Sequence, residues 1–214
     1  MTHDYQALTD EQLERNRELI RQLDDDQWNV PSLCTGWRVA EVFAHGITGY
    51  SIPLIQAVWL IARARGNVGR VSNQVAVDYA NTHTREEAVA DFVRVTSVKP
   101  PKGFVKTVRT VERYPDHLIH EFDVRIPLGI ERDVSREQMI PALDAARQVG
   151  GFAGYKGRIK GLTLIATDVD YSTGEGPEVR GPALSLLLAA SGRPIGLDRL
   201  QGDGLATLAD RVKS

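Results

Sequence analysis

Residues 113–123 read Arg113-Tyr114-Pro115-Asp116-His117-Leu118-Ile119-His120-Glu121-Phe122-Asp123. Proline suits a first helical turn, so a helix is expected from near Tyr114-Pro115 to about Val124, with Gly129 just beyond. On that helix Asp116 and His120 stand four apart and project from one face. A carboxylate and an imidazole so placed can reach one divalent metal, and helix bundles build such sites in their cores. A catalytic zinc site wants three protein ligands and an open position. The third ligand has to come from another helix, where His45 is the candidate and the small Gly46 beside it lets a neighbour approach. The same spacing also suits a surface ion pair of Asp116 with His120, and His45 as a core histidine with a backbone partner. Spacing alone leaves both readings open. His117, one residue off the face, is expected to be solvated; His83 falls in a loop and His3 is terminal.

Upstream the chain also reads as helical. Thr9-x-x-Gln12 predicts a capping box ahead of Leu13, Leu19, Ile20 and Leu23, and Asp24-Asp25-Asp26 with Pro31 ends that helix. A second, long helix opens at Thr35 or Gly36 and closes at Gly66 and Gly69, with a kink or break at Pro53. Thr84 and Glu87 predict the cap of a third, which stops before Pro100-Pro101. Ser135-x-x-Gln138 caps a further helix ending at Gly150-Gly151. Downstream the texture changes. Leu162–Asp170 is β-rich, Ser172–Pro177 is a turn cluster and Glu178–Gly181 returns as a strand. Ala183–Ala190 is a Leu-rich buried helix ended by Gly192-Arg193-Pro194, and Asp203 caps a last short helix to about Val212. The expected class is α+β, with a helical bundle over 1–150 and a small α/β domain over 151–214.

With 214 residues, 42% hydrophobic and 25% charged, the chain is in the ordinary globular range and can bury a sizeable core. Twenty-six Lys and Arg against 28 Asp and Glu leave a formal net charge of -2, without the basic excess a nucleic-acid binder needs. No stretch approaches the roughly 20 apolar residues of a membrane span, and the N-terminus lacks the pattern of a secretory signal. A cytoplasmic protein is expected, and its one cysteine, Cys34, cannot form an internal disulfide.

Cys34 lies between a proline-led loop and the start of the second helix. A helix N-terminus can activate a thiol, but a small buried filler is the favoured reading. Trp37 reads as a packing anchor. Arg193 suits either two-point binding of a substrate carboxylate or a structural ion pair.

Three segments together resemble the mycothiol-dependent maleylpyruvate isomerase family of DinB-like four-helix metalloproteins. Pro31-Ser32-Leu33-Cys34-Thr35-Gly36-Trp37-Arg38-Val39 with Ala44-His45 resembles its opening motif. Arg113-x-x-Asp116-x-x-x-His120-x-x-Asp123 resembles its metal helix, in which glutamate usually stands where this chain has Asp116. Val179-Arg180-Gly181-Pro182-Ala183 through Gly192-Arg193-Pro194 and Gly202-Asp203 resembles its small, sterol-carrier-like C-terminal domain. The segment between about Arg65 and Lys106 matches only as generic helix.

The resemblance implies a zinc ion on His45, Asp116 and His120, and an arginine from the C-terminal domain near it, for which Arg193 is the best-matching position. Aspartate is one methylene shorter than glutamate, so metal identity and affinity are the properties this departure touches. The implied activity is zinc- and thiol-dependent isomerisation or S-transfer, with a mycothiol-like thiol as cosubstrate and a small electrophilic, anionic substrate. The thiol sulfur would add to an electrophilic carbon, giving transfer or, after bond rotation and expulsion, cis–trans isomerisation. The alternative is a non-catalytic metal-containing module that binds a small apolar ligand. Neither reading involves nucleic acid or membrane, and both suit a monomer or homodimer.

Overall fold

The computed structural model describes residues 3–149 and 155–213. Helices α1 (Tyr5–Gln22), α2 (Asp25–Trp28), α3 (Val39–Ser51), α4 (Leu54–Arg63), α5 (Val68–Thr82) and α6 (Arg85–Thr96) lead to a 3-10 turn at Phe104–Thr107. Helices α7 (Thr110–Arg125), α8 (Arg136–Gln148) and α9 (Tyr155–Ile159) follow. Strands β1 (Thr163–Ala166), β2 (Ser172–Gly174) and β3 (Glu178–Gly181) then precede α10 (Ala183–Ala190), a 3-10 helix at Pro194–Arg199, and α11 (Leu205–Lys213). The expected α+β class is what is observed, and no helix among the described residues is long and apolar enough to cross a membrane.

The chain forms two compact units. The first gathers the N-terminal residues up to Leu8, Tyr114–Ile119 and the chain from Arg132 onward; the second holds Thr9–Arg113 and His120–Glu131. Helix α8 thus groups with the C-terminal elements. The expected end of its helix at Gly150-Gly151 lies outside the described residues.

The second unit is a helical bundle in which α3 packs against both α5 and α6. Its core joins Leu13, Leu19 and Ile20 of α1 to Val39, Phe43 and Ile47 of α3 and Phe92 of α6. Phe43 stacks on Trp28 at 5.8 Å between centroids and meets Phe92 edge-on at 5.4 Å. Pro53 does break the long helix, because it cannot donate to the α3 ladder, and it stands at the start of α4 instead. Gly103 takes φ +76, and a Cβ there would lie 2.6 Å from the Tyr50 backbone, so only glycine lets this loop touch the end of α3.

Several boundaries differ from the sequence reading. Asp4 Oδ1 accepts from the Gln6 and Ala7 amides, so α1 starts before Thr9, which with Gln12 is buried inside the helix. The acidic run opens a helix of its own, Asp24 forming a capping box with Gln27. Helix α7 begins at Thr110, one turn before the proline, which sits within it. Ser172–Gly174, expected as turn, pairs antiparallel with β1 in register Leu164↔Thr173. Helix α5 had no bounds of its own in the sequence reading, which took this segment only as generic helix; Asn67 caps it by accepting from the Arg70 amide at 2.9 Å.

In the first unit the sheet order is β2-β1-β3, with β1 and β3 parallel. Helix α10 packs against β1, β3 and α8. Asp168 Oδ1 accepts from the Ala183 amide at 2.8 Å and so caps the otherwise apolar α10. Tyr114 donates to the Gln138 carbonyl at 2.7 Å, and His3, far from idle, sits 2.8 Å from Asp144.

Helix α3 is locked at its start by its own side chains. The Glu41 carboxylate accepts from the Arg38 backbone amide at 2.7 Å and from its guanidinium at 2.6 Å. Burial pushes the Glu41 carboxyl up, but the Arg38 side-chain and backbone donors outweigh it and hold it below the usual glutamate value. A depressed carboxyl stabilises the fold above its unfolded value of about 4.3, and that contribution fades as pH falls through the folded value. Glu41→Gln should therefore cost about 1 kcal/mol at pH 7, and denaturant titrations should show the gap closing as pH is taken below the ordinary glutamate range.

Candidate metal centre

Helix α7 is almost wholly enclosed. Between residues 113 and 124 every position is buried except Asp116 and His120, one turn apart. His117, expected in solvent, is only 6% exposed, because the helix is covered on both sides of the Asp116–His120 stripe. His45 comes from α3, and its imidazole meets that of His120 edge-on with centroids 5.1 Å apart. His45, Asp116 and His120 each offer one ligand atom, and these atoms all lie within 4.8 Å of one another. Two imidazoles and a carboxylate are a donor set that zinc accepts.

The backs of both rings are engaged. Asp123 Oδ2 lies 2.8 Å from His120 Nδ1, and a carboxylate there accepts the ring N–H. Ser72 Oγ of α5 lies 2.9 Å from His45 Nδ1. Metal-bound histidine usually has one ring nitrogen engaged by such a partner, and on both of these rings Nδ1 is so engaged. The residues present therefore fit a divalent ion.

The loop before α3 closes over the same place. Ser32 Oγ and the Ser32 amide each donate to the Trp37 carbonyl at 2.9 Å, and the Leu33 amide donates to the Asp123 carbonyl at 3.1 Å. Gly36, at φ +79, supplies the left-handed residue this turn requires. Trp37 is thereby set beside both imidazoles, tilted 41° to His45 at 5.6 Å and nearer parallel to His120 at 6.3 Å between centroids, and its Nε1–H donates to Asn73 Oδ1 at 2.7 Å. Cys34 is not merely filler: its thiol donates to Asp123 Oδ2 at 3.0 Å.

Arg193 belongs to the first unit, as Asp116 does, whereas His45 and His120 belong to the second. Arg193 precedes the 3-10 helix at Pro194–Arg199, and its guanidinium donates to the Ser191 carbonyl at 2.8 Å. Arg158 is beside it; burial first, and then the charge of Arg193, pulls the Arg158 guanidinium below its ordinary value. Ser72, Asn73 and the stacking role of Trp37 escaped sequence reasoning. The first two ride on α5, whose apolar positions Val68, Val71, Val75 and Tyr79 recur at helical spacing without marking which polar neighbours meet the rings.

A helical bundle that presents a histidine from one helix and a one-turn carboxylate–histidine pair from another defines the class. Residues 9–98 match the family model of the mycothiol maleylpyruvate isomerase N-terminal domain. The match agrees with the resemblance of the motifs. Over the whole chain the fold is similar to the crystal structure of the mycothiol-dependent maleylpyruvate isomerase, with 18% identity, a TM-score of 0.57, and 95% of this chain and 96% of that one covered. A histidine-to-alanine mutant of that enzyme matches at 16% identity with the same TM-score of 0.57. No curated protein matches the chain.

Ser72→Ala leaves His45 without its hydroxyl partner. Zinc affinity measured by chelator competition should fall about tenfold, the lower end for loss of an outer-shell partner, with no change in helix content by circular dichroism.

Proposed function

We propose that this chain is a zinc- and thiol-dependent enzyme, an isomerase or S-transferase that uses mycothiol or a similar low-molecular-weight thiol on a small, electrophilic, anionic substrate. The observation that carries the reading is the stripe on α7. Between residues 113 and 124 this helix keeps solvent access only at Asp116 and His120, and these converge with His45. A purely structural metal site closes its shell, whereas a catalytic one needs an opening.

In this reading His45, Asp116 and His120 hold the metal. When bound, zinc supplies the Lewis acidity that favours the thiolate form of a coordinated thiol. Ser72 and Asp123 fix the imidazole rings. The Trp37 indole flanks them and restricts water. Arg193, from the C-terminal domain proposed over 151–214, orients the anionic group of the substrate through its planar fork. The bundle proposed over 1–150 carries the ligands, and the protein works in the cytoplasm as a monomer or homodimer.

Elemental analysis of protein expressed with zinc present should find one metal per chain in the wild type and none in His120→Ala. A metal-free wild type would defeat the reading. The loaded protein should then turn over a cis-enoic dicarboxylate in the presence of mycothiol.

Arg193→Lys should keep metal and fold but lose the second contact to an anionic substrate. One charge-assisted hydrogen bond is worth about 1.5 kcal/mol, so kcat/KM should drop roughly tenfold. An unchanged kcat/KM for anionic substrates would remove Arg193 from the site.

A further inference from the structure

We propose that Cys34 is a positioning residue of the metal centre: its thiol holds the Asp123 carboxylate so that His120 keeps its Nδ1–H and turns Nε2 to the metal. The inference rests on the metal reading above and adds a third tier to it, metal ligand, carboxylate and thiol.

Three atoms carry the argument. Cys34 Sγ donates to Asp123 Oδ2 at 3.0 Å, the same oxygen accepts His120 Nδ1–H at 2.8 Å, and Sγ lies 3.7 Å from Nδ1. The Asp123 side chain has no solvent exposure at all. A wholly buried carboxylate is costly unless donors surround it. Two donors on one oxygen also fix the carboxylate plane, and with it the ring it faces. A sulfur serving only as packing would have no need to point at a carboxylate oxygen.

The backbone places the thiol there. The Cys34 amide donates to Ser32 Oγ at 3.1 Å, and the Cys34 carbonyl accepts from the Trp37 amide at 3.0 Å. The Leu33 amide is bonded to the Asp123 carbonyl itself, so loop and helix are tied at the very turn where the thiol must reach. Cys34 is part-exposed, yet its position is determined from both sides along the chain.

Direct ligation by Cys34 is the competing reading, since Cys34, His120 and Asp123 also offer ligand atoms within 4.8 Å of one another. The distances favour hydrogen bonding. Zinc bonds of about 2.0 to 2.3 Å in a tetrahedron separate their donor atoms by roughly 3.3 Å or more, whereas Oδ2 stands 2.8 Å from Nδ1 and 3.0 Å from Sγ. The ring nitrogen facing the thiol is moreover the one that Asp123 already occupies.

The test compares wild type, Cys34→Ser and Cys34→Ala as full-length proteins. Serine keeps a donor at this position and alanine removes it. Zinc affinity by chelator competition should stay within about threefold of wild type in Cys34→Ser and fall about tenfold or more in Cys34→Ala, as for other outer-shell losses. In metal-free protein, nitrogen-15 NMR of the histidine rings should show the Nδ1–H tautomer of His120 in wild type and Cys34→Ser, and a mixture in Cys34→Ala. Equal zinc affinity and equal tautomer in all three proteins overturn the proposal, as does a serine variant as impaired as the alanine one. A sulfur-to-cobalt charge-transfer band in the cobalt-loaded wild type, lost in Cys34→Ser, also overturns it by making Cys34 a ligand. If wild type takes up no zinc, the metal reading fails by itself, and the tautomer comparison still decides the role of Cys34.

Discussion

The Asp123 carboxylate is shut away from water, and much of the bundle can be understood as what it takes to keep it there. A buried carboxylate needs donors with good geometry, and the donors must be held rigidly or the group will find water instead. The imidazole N–H of His120 and the thiol of Cys34 meet one of its oxygens. The loop bearing Cys34 is in turn bonded to the Asp123 main chain through Leu33. The same helix solves the same problem differently one turn-face away. Glu121, equally buried, accepts from Arg125 at 2.6 Å and from Gln12 of α1 at 2.7 Å. There the partner is a cation, and the result is a structural clamp between helices. At Asp123 a partner is an imidazole, and the contact orients its ring.

Helix α5 repeats this logic from the opposite side. Ser72 meets His45, and the adjacent Asn73 accepts from the Trp37 indole. Neighbouring residues on a helix point in different directions, so one short segment steadies a ring and the indole beside it. Only Ala76 of this helix is fully buried; Tyr79 and Ala80 pack against the core beside it, so α5 joins an apolar stripe to these polar contacts.

That balance explains what could be read from sequence and what could not. The i, i+4 pairing of Asp116 with His120 needs nothing but helix geometry, so it survived the helix starting a turn earlier than Pro115 suggested. The break at Pro53 and the Thr84–Glu87 cap are local backbone chemistry, and both are found as expected. The site residues on α5 were invisible because hydrophobic periodicity marks the stripe a helix turns to the core and says nothing of which polar residues beside that stripe meet a ring. His117 was misplaced for the converse reason. A single amphipathic face was assumed for α7, whereas the helix is enclosed on nearly every side and its polar residues find partners within the protein. Thr9 and Gln12 form a sound capping box on paper, but Asp4 reaches the first free amides sooner.

An enclosed helix also bears on the exchange of glutamate for Asp116. On an exposed surface a shorter carboxylate could be accommodated by sliding a mobile neighbour. Here the flanking residues Tyr114, Pro115, His117 and Leu118 are all buried, and close packing prevents α7 from shifting freely. The adjustment has to fall on the side that keeps solvent access, where His45 and His120 face Asp116. His45 is held on a helix whose first turn is locked by the Arg38–Glu41 contact, and its ring is backed by Ser72. In the metal-centre reading proposed above, a shorter ligand among such constrained partners would set the size and distance of the preferred ion, and any departure in metal preference from a site with glutamate in this place would originate at Asp116.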